Sequence, residues 1–180
     1  MKIEEKAKAK IIILHIVSDV PGITYHLLMD KCLASLTMDY FSFAECFNEL
    51  LSSNLIESIS ETDGTGAVTA DSTENLISIT RGGSAVLEDI KTTLSVSTKK
   101  FLSDAKTDLT AIMAQRNSIK ASVEVIDDTI YAVLAINEDN MPSFKTLIKC
   151  ENQEEASSLC SKWRKNAFSA RDSLRASLDK

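Results

Sequence analysis

The sequence predicts an α+β chain: three helices, a long-tipped hairpin and a fourth helix come first, then one long helix, a three-stranded antiparallel sheet and a covering helix. Three observations predict it. Apolar residues recur at helical spacing between cap and turn signals over the first ninety or so positions, one helical period runs unbroken from Ser95 to Ile119, and strand alternation replaces it afterwards. With 44% hydrophobic against 26% charged residues in 180, the chain has the apolar content for real cores and too little charge bias for disorder. The expected domains are residues 1–92, a linking helix over 93–119, and a β-β-β-α dimerisation or sensor module over 120–180.

Helix one is expected over residues 3–18, closed by Asp19 and the Pro21-Gly22 turn. Thr24 is placed to cap helix two, with Ile23 and Leu28 as its hydrophobic staple, and the helix runs to about Ala34. Ser42-Phe43-Ala44-Glu45 reads as a capping box, stapled by Phe41 and Cys46, that opens helix three at about 43–54. Phe43, Phe47, Leu50, Leu51 and Asn54 share one face of that helix, leaving Glu45, Asn48, Glu49, Ser52 and Ser53 towards solvent or a ligand.

Leu55 to Ser60 and Asn75 to Ile79 make a hairpin with a polar tip, in which Asp63-Gly64-Thr65-Gly66 is turn chemistry. Thr80 caps a fourth helix from about Gly82, with Ala85, Val86 and Ile90 facing one way. The long helix carries Phe101, Leu102, Ala105, Leu109, Ile112 and Met113 on its stripe. Strands follow at 121–126, 130–136 and 144–150, with a turn at Asp127-Asp128 and a loop holding Pro142. The middle strand is apolar on both faces. The last helix, about 153–178, covers one face through Ala156, Leu159, Cys160, Trp163, Ala167, Ala170 and Leu174; the other cover must come from the long helix or a second subunit.

Several functions are excluded by what the pattern lacks. The apolar run from Ile11 to Val17 is too short for a bilayer and is interrupted by His15, and Glu4 and Glu5 among the N-terminal lysines argue against a secretory signal, so the expected location is cytoplasmic. Cys32, Cys46, Cys150 and Cys160 form no C-x-x-C pair and lie at no ligand spacing from His15 or His26, so buried thiols are expected and no metal site. No phosphate loop or nucleophile elbow occurs, and neither an enzyme nor a cofactor is expected.

Three helices with a sharply started third, Asn54-Leu55-Ile56-Glu57 leading into a hairpin, Ile79-Thr80-Arg81-Gly82-Gly83 leading into a fourth helix, and Trp163-Arg164-Lys165-Asn166-Ala167 near the end together resemble a bacterial winged-helix family, domain-of-unknown-function family 4364. The resemblance spans nearly the whole chain. It implies an N-terminal winged helix-turn-helix and a transcriptional regulator that dimerises, and it carries over no catalytic residues.

A winged helix on DNA places helix three in the major groove and neutralises phosphates with Lys and Arg. Here no basic residue lies between Lys31 and Arg81, and residues 1–92 hold 7 Lys or Arg against 14 Asp or Glu, a net of −7. Residues 93–180 hold 13 against 12. Lys2, Lys6, Lys8 and Lys10, or Lys99, Lys100 and Lys106, are the groups that could restore a positive surface. The candidate DNA-binding residues are Asn48 for an adenine edge, Tyr40 and the amides near Thr24 and Tyr25 for phosphate, Ala44 on the same helix, and Glu45, which serves the capping box first. The expected partners are a second copy through residues 93–180 and double-stranded DNA, or alternatively a basic protein that docks on the acidic third helix.

Overall fold

Pro21 and Gly22 end the first helix abruptly, and Gly22, at φ 77, donates its N–H to Ile77 O at 3.0 Å, which draws the next two residues onto a strand far along the chain. The computed structural model describes residues 3–35, 37–60, 75–90, 94–139 and 141–178. Among these the fold is α+β, with six helices and two three-stranded antiparallel sheets. The chain divides into two compact units, Met1–Ala111 and Ile112–Lys180.

The first unit holds α1 (Ile3–Asp19), β1 (Ile23–Thr24), α2 (Tyr25–Ala34), α3 (Tyr40–Ser52), β2 (Ile56–Ser60), β3 (Asn75–Ile79), α4 (Arg81–Ile90) and most of α5 (Val96–Ser118). Its sheet order is β1-β3-β2. Thr24 caps α2 as the sequence suggests, its Oγ1 accepting Leu27 N at 3.4 Å, and Ile23 and Leu28 are both fully buried. Thr80 Oγ1 accepts Gly83 N at 3.0 Å and caps α4. The tip expected at residues 61–74, with Asp63-Gly64-Thr65-Gly66, lies outside the described residues.

Several expectations are corrected. α3 begins at Tyr40, earlier than the capping box implied, because Asp39 caps it by accepting Ser42 N on Oδ1 at 2.8 Å. Ser42 is therefore inside the first turn, and Phe41 is 82% exposed instead of stapled. On α4 the buried residues are Gly83 and Leu87, while Ala85 and Val86 are exposed, since the helix turns the face carrying Gly83 towards Leu55 and Ile79. On α5 the buried row is Thr98, Leu102, Ala105 and Leu109, and Ile112 is exposed. Lys106 pairs with Asp19 at 2.9 Å and Asp108 with Lys31 at 2.6 Å, tying α5 to α1 and α2.

The second unit holds β4 (Ile119–Ile126), β5 (Thr129–Glu138), β6 (Met141–Cys150) and α6 (Gln153–Leu178), with β5 central. Asp127 and Asp128 both take positive φ, 48 and 58, which the two-residue turn between Ile126 and Thr129 requires. Pro142, expected in a loop, pairs with Asn137 within β6; an edge strand can spare the missing N–H, and the register shifts beside it. α6 covers one face through Ala156, Cys160, Trp163 and Ala167 against Ala132, Leu134 and Ile136. Trp163 Nε1 donates to Ala135 O at 3.3 Å and its ring stacks on Phe144. Ala170 and Leu174 were expected to extend this cover, but both are exposed, because α6 departs from helical geometry at Asn166 and its last turns bury no residue.

Candidate nucleic-acid interface

α3 ends in a motif that aims the chain directly into the hairpin. Asn54 takes φ 54, Leu55 N donates to Leu50 O at 3.0 Å and Asn54 N to Leu51 O at 2.9 Å, the paired bonds of a Schellman cap with Asn in the left-handed position. Thr80 Oγ1 donates to Asn54 O at 2.8 Å, so the hydroxyl that caps α4 also clamps the end of α3. The helix is held from within by Phe43, Cys46, Phe47 and Leu50, all buried.

Its outward face carries two rows at four-residue spacing. Tyr40, Ala44, Asn48 and Ser52 form one; Phe41, Glu45 and Glu49 form the other. Asn48 is exposed, with its backbone carbonyl accepting Ser52 Oγ at 2.7 Å. Tyr40 is 51% exposed and meets Phe41 edge to face at 5.7 Å. Ala44 is half-buried. Tyr25 is half-buried, edge-on to Phe47 at 4.9 Å, and burial raises its phenol pKa, with Tyr40 adding to the shift. Thr24 is 3% exposed and its hydroxyl is committed to the cap, which sets it apart from the residues of the α3 surface.

Glu45 does not act in a capping box. Its Oε1 accepts Lys6 Nζ at 2.9 Å, Lys6 also bonds Glu49 at 2.5 Å, and Lys10 bonds Glu49 at 2.6 Å. Two lysines one turn apart on α1 therefore face two carboxylates one turn apart on α3. The Glu49 carboxyl is held below the ordinary range, first by Lys10 and then by Lys6, and the Lys6 ammonium is held above the ordinary lysine value by Glu49 and then Glu45. Sequence reasoning missed this network, although its signal was present: Lys6/Lys10 and Glu45/Glu49 are complementary i, i+4 pairs. Of the other lysines considered, Lys106 is engaged with Asp19, Lys2 lies outside the described residues, and Lys8, Lys99 and Lys100 are exposed.

The four cysteines are buried free thiols, and desolvation pushes Cys32 up to about 12, with the Cys46 thiol adding to it. Among the described residues no cluster of His, Cys, Asp or Glu is placed to hold a metal ion, and no helix is long and apolar enough to cross a membrane.

These features define an α+β protein whose third helix presents a charge-compensated polar and aromatic surface, followed by a hairpin. The chain belongs to the family described as Domain of unknown function (DUF4364), whose model matches residues 9–177. No curated protein and no solved structure matches it.

Proposed function

We propose that this is a homodimeric winged-helix protein that binds double-stranded DNA in transcriptional regulation, with α3 and the following hairpin as the DNA surface. The observation that carries the reading is the neutralised α3. The net charge of residues 1–92 argues against an approach to phosphate, but Lys6 and Lys10 cancel Glu45 and Glu49 where α3 would meet a groove, leaving Asn48, Tyr40 and Ser52 exposed. The element order α1-β1-α2-α3-β2-β3-α4 and the sheet order β1-β3-β2 support the same reading. With few cations on this surface, affinity rests on a small number of phosphate contacts and so depends only modestly on salt. A titration against genomic fragments at several salt concentrations tests it. Saturable binding that Asn48→Ala weakens is expected, and no saturable binding even at low salt overturns it.

The exposed Phe41 and Tyr40 favour a second reading, a winged helix turned protein-interaction module, because apolar rings left in water at a helix start are common anchors of protein interfaces. Its partner would be basic and would have to compete with Lys6 and Lys10 for the carboxylates. A native pull-down that recovers a reproducible DNA sequence and no protein decides against it.

A further inference from the structure

In the second unit α6 closes one face of the sheet, and the register determines what stands on the other. Lys120 and Lys145 flank Ala135; four residues back along β5, Glu124 and Lys149 flank Tyr131. Between these rows Val133 forms an apolar floor with Ala135, each 7% exposed, while its neighbour Leu147 is 47% exposed. Lys120, Lys145 and Lys149 are exposed, and among the described residues none of them enters an ion pair. Glu124 accepts a hydrogen bond from Ser122 Oγ on its own strand at 3.3 Å. The face has a nearly buried apolar floor with Leu147 exposed beside it, three positive corners without ion pairs and one negative corner.

Strand spacing of about 4.8 Å sets Lys120 and Lys145 about 10 Å apart, which is close to the width of one α-helix with its side chains, about 10–12 Å. At about 3.4 Å per residue the two rows lie about 14 Å apart, or roughly two and a half helical turns. We infer that this face binds an acidic amphipathic helix of a partner polypeptide, laid along β5 with its apolar stripe on the exposed Leu147 and the half-buried Tyr131, over the Val133 floor, and carboxylates towards the three lysines. Glu124 selects a neutral or basic residue at the fourth corner. Nucleic acid fits less well: single strands are bound on several stacked rings, whereas this face has only Tyr131, with a carboxylate beside it. A second copy meeting it face to face would set lysine against lysine, so the proposed dimer would have to form through other surfaces of residues 93–180. The inference goes beyond the DNA reading and does not depend on it.

The test is a fluorescence-anisotropy titration of the full chain with labelled model peptides: one with a leucine stripe flanked by glutamates, one of the same composition with the stripe scrambled, and an oligothymidylate for comparison. The striped peptide is expected to bind saturably, more tightly at low salt, and about tenfold or more weaker in the triple variant Lys120→Glu/Lys145→Glu/Lys149→Glu. Leu147→Ser keeps every charge and should also weaken binding, which covers the case in which the triple variant fails to fold. Absent saturation, unchanged affinity in both variants, equal binding of the scrambled peptide, or tighter binding of the oligothymidylate through the same lysines would each overturn the inference.

Discussion

A Cβ on Gly83 would stand 2.0 Å from Leu55 O and 2.8 Å from Ile79 Cγ1, so the start of α4 can lie against the β2–β3 hairpin only with glycine there. Leu55 O is backbone and cannot step aside. Gly83→Ala is expected to cost about 3 kcal/mol, the upper end of the overpacking range. Gly82 is the built-in control: its Cβ would meet nothing closer than Thr80 Oγ1 at 3.7 Å, so Gly82→Ala should change stability by no more than about 1 kcal/mol. Urea unfolding of both variants checks this, and equal losses would contradict it. The sequence placed Thr80 as a cap correctly but turned Ala85 and Val86 inward, because a local pattern contains no term for a strand approaching from Leu55. Phe41 shows the same blindness. An aromatic at a helix start satisfies a staple on paper, but Asp39 captures the cap and leaves Phe41 in water.

Elements were the most legible level, since caps and periodicity are local: α2, β3 and α6 match their expected bounds, and α1 ends one residue later than expected. What joins them was less legible. The bridge between α1 and α3 consists of Lys6, Lys10, Glu45 and Glu49, and its pH dependence follows from the shifts it causes. A carboxylate with a depressed folded-state pKa contributes stability above its unfolded value and loses it as pH falls through the folded one. A raised ammonium contributes below its unfolded value and loses it as pH rises through the folded one. The Glu49 contribution therefore holds at neutral pH and fades below about pH 4.3, and that of Lys6 fades only above about pH 10.4. Urea midpoints of the native chain and of Glu49→Gln should differ at neutral pH and converge in acid. A gap that persists in acid would show that the substitution acts through packing instead.

At the scale of the molecule, α5 does more than link. Thr98, Leu102, Ala105 and Leu109 are buried within the unit Met1–Ala111, and Lys106 and Asp108 pair with Asp19 and Lys31 there. Ending the chain at residue 92 removes three buried leucines, Leu94, Leu102 and Leu109, at about 1.5–3 kcal/mol each, and should leave the first unit poorly folded, whereas a chain ending at Ala111 should unfold cooperatively. Light scattering on that longer fragment and on the full chain tests the proposed dimer through residues 93–180. The full chain is expected to be dimeric; a full-length monomer at micromolar concentration would show the assignment to be wrong, and a fragment that still dimerises would show that residues 112–180 are not needed for the interface.

The sequence by itself determined that this is an α+β chain with Thr24 and Thr80 as caps, a turn at Asp127-Asp128, and a central β5 apolar on both faces, because each of these depends on residues a few positions apart. Only the tertiary structure decided that Lys6 and Lys10 neutralise α3, that Gly83 must remain glycine, and that Lys120, Lys145 and Lys149 share one open face. Those outcomes depend on which distant segments meet and in what register, and neither periodicity nor net charge contains that distance.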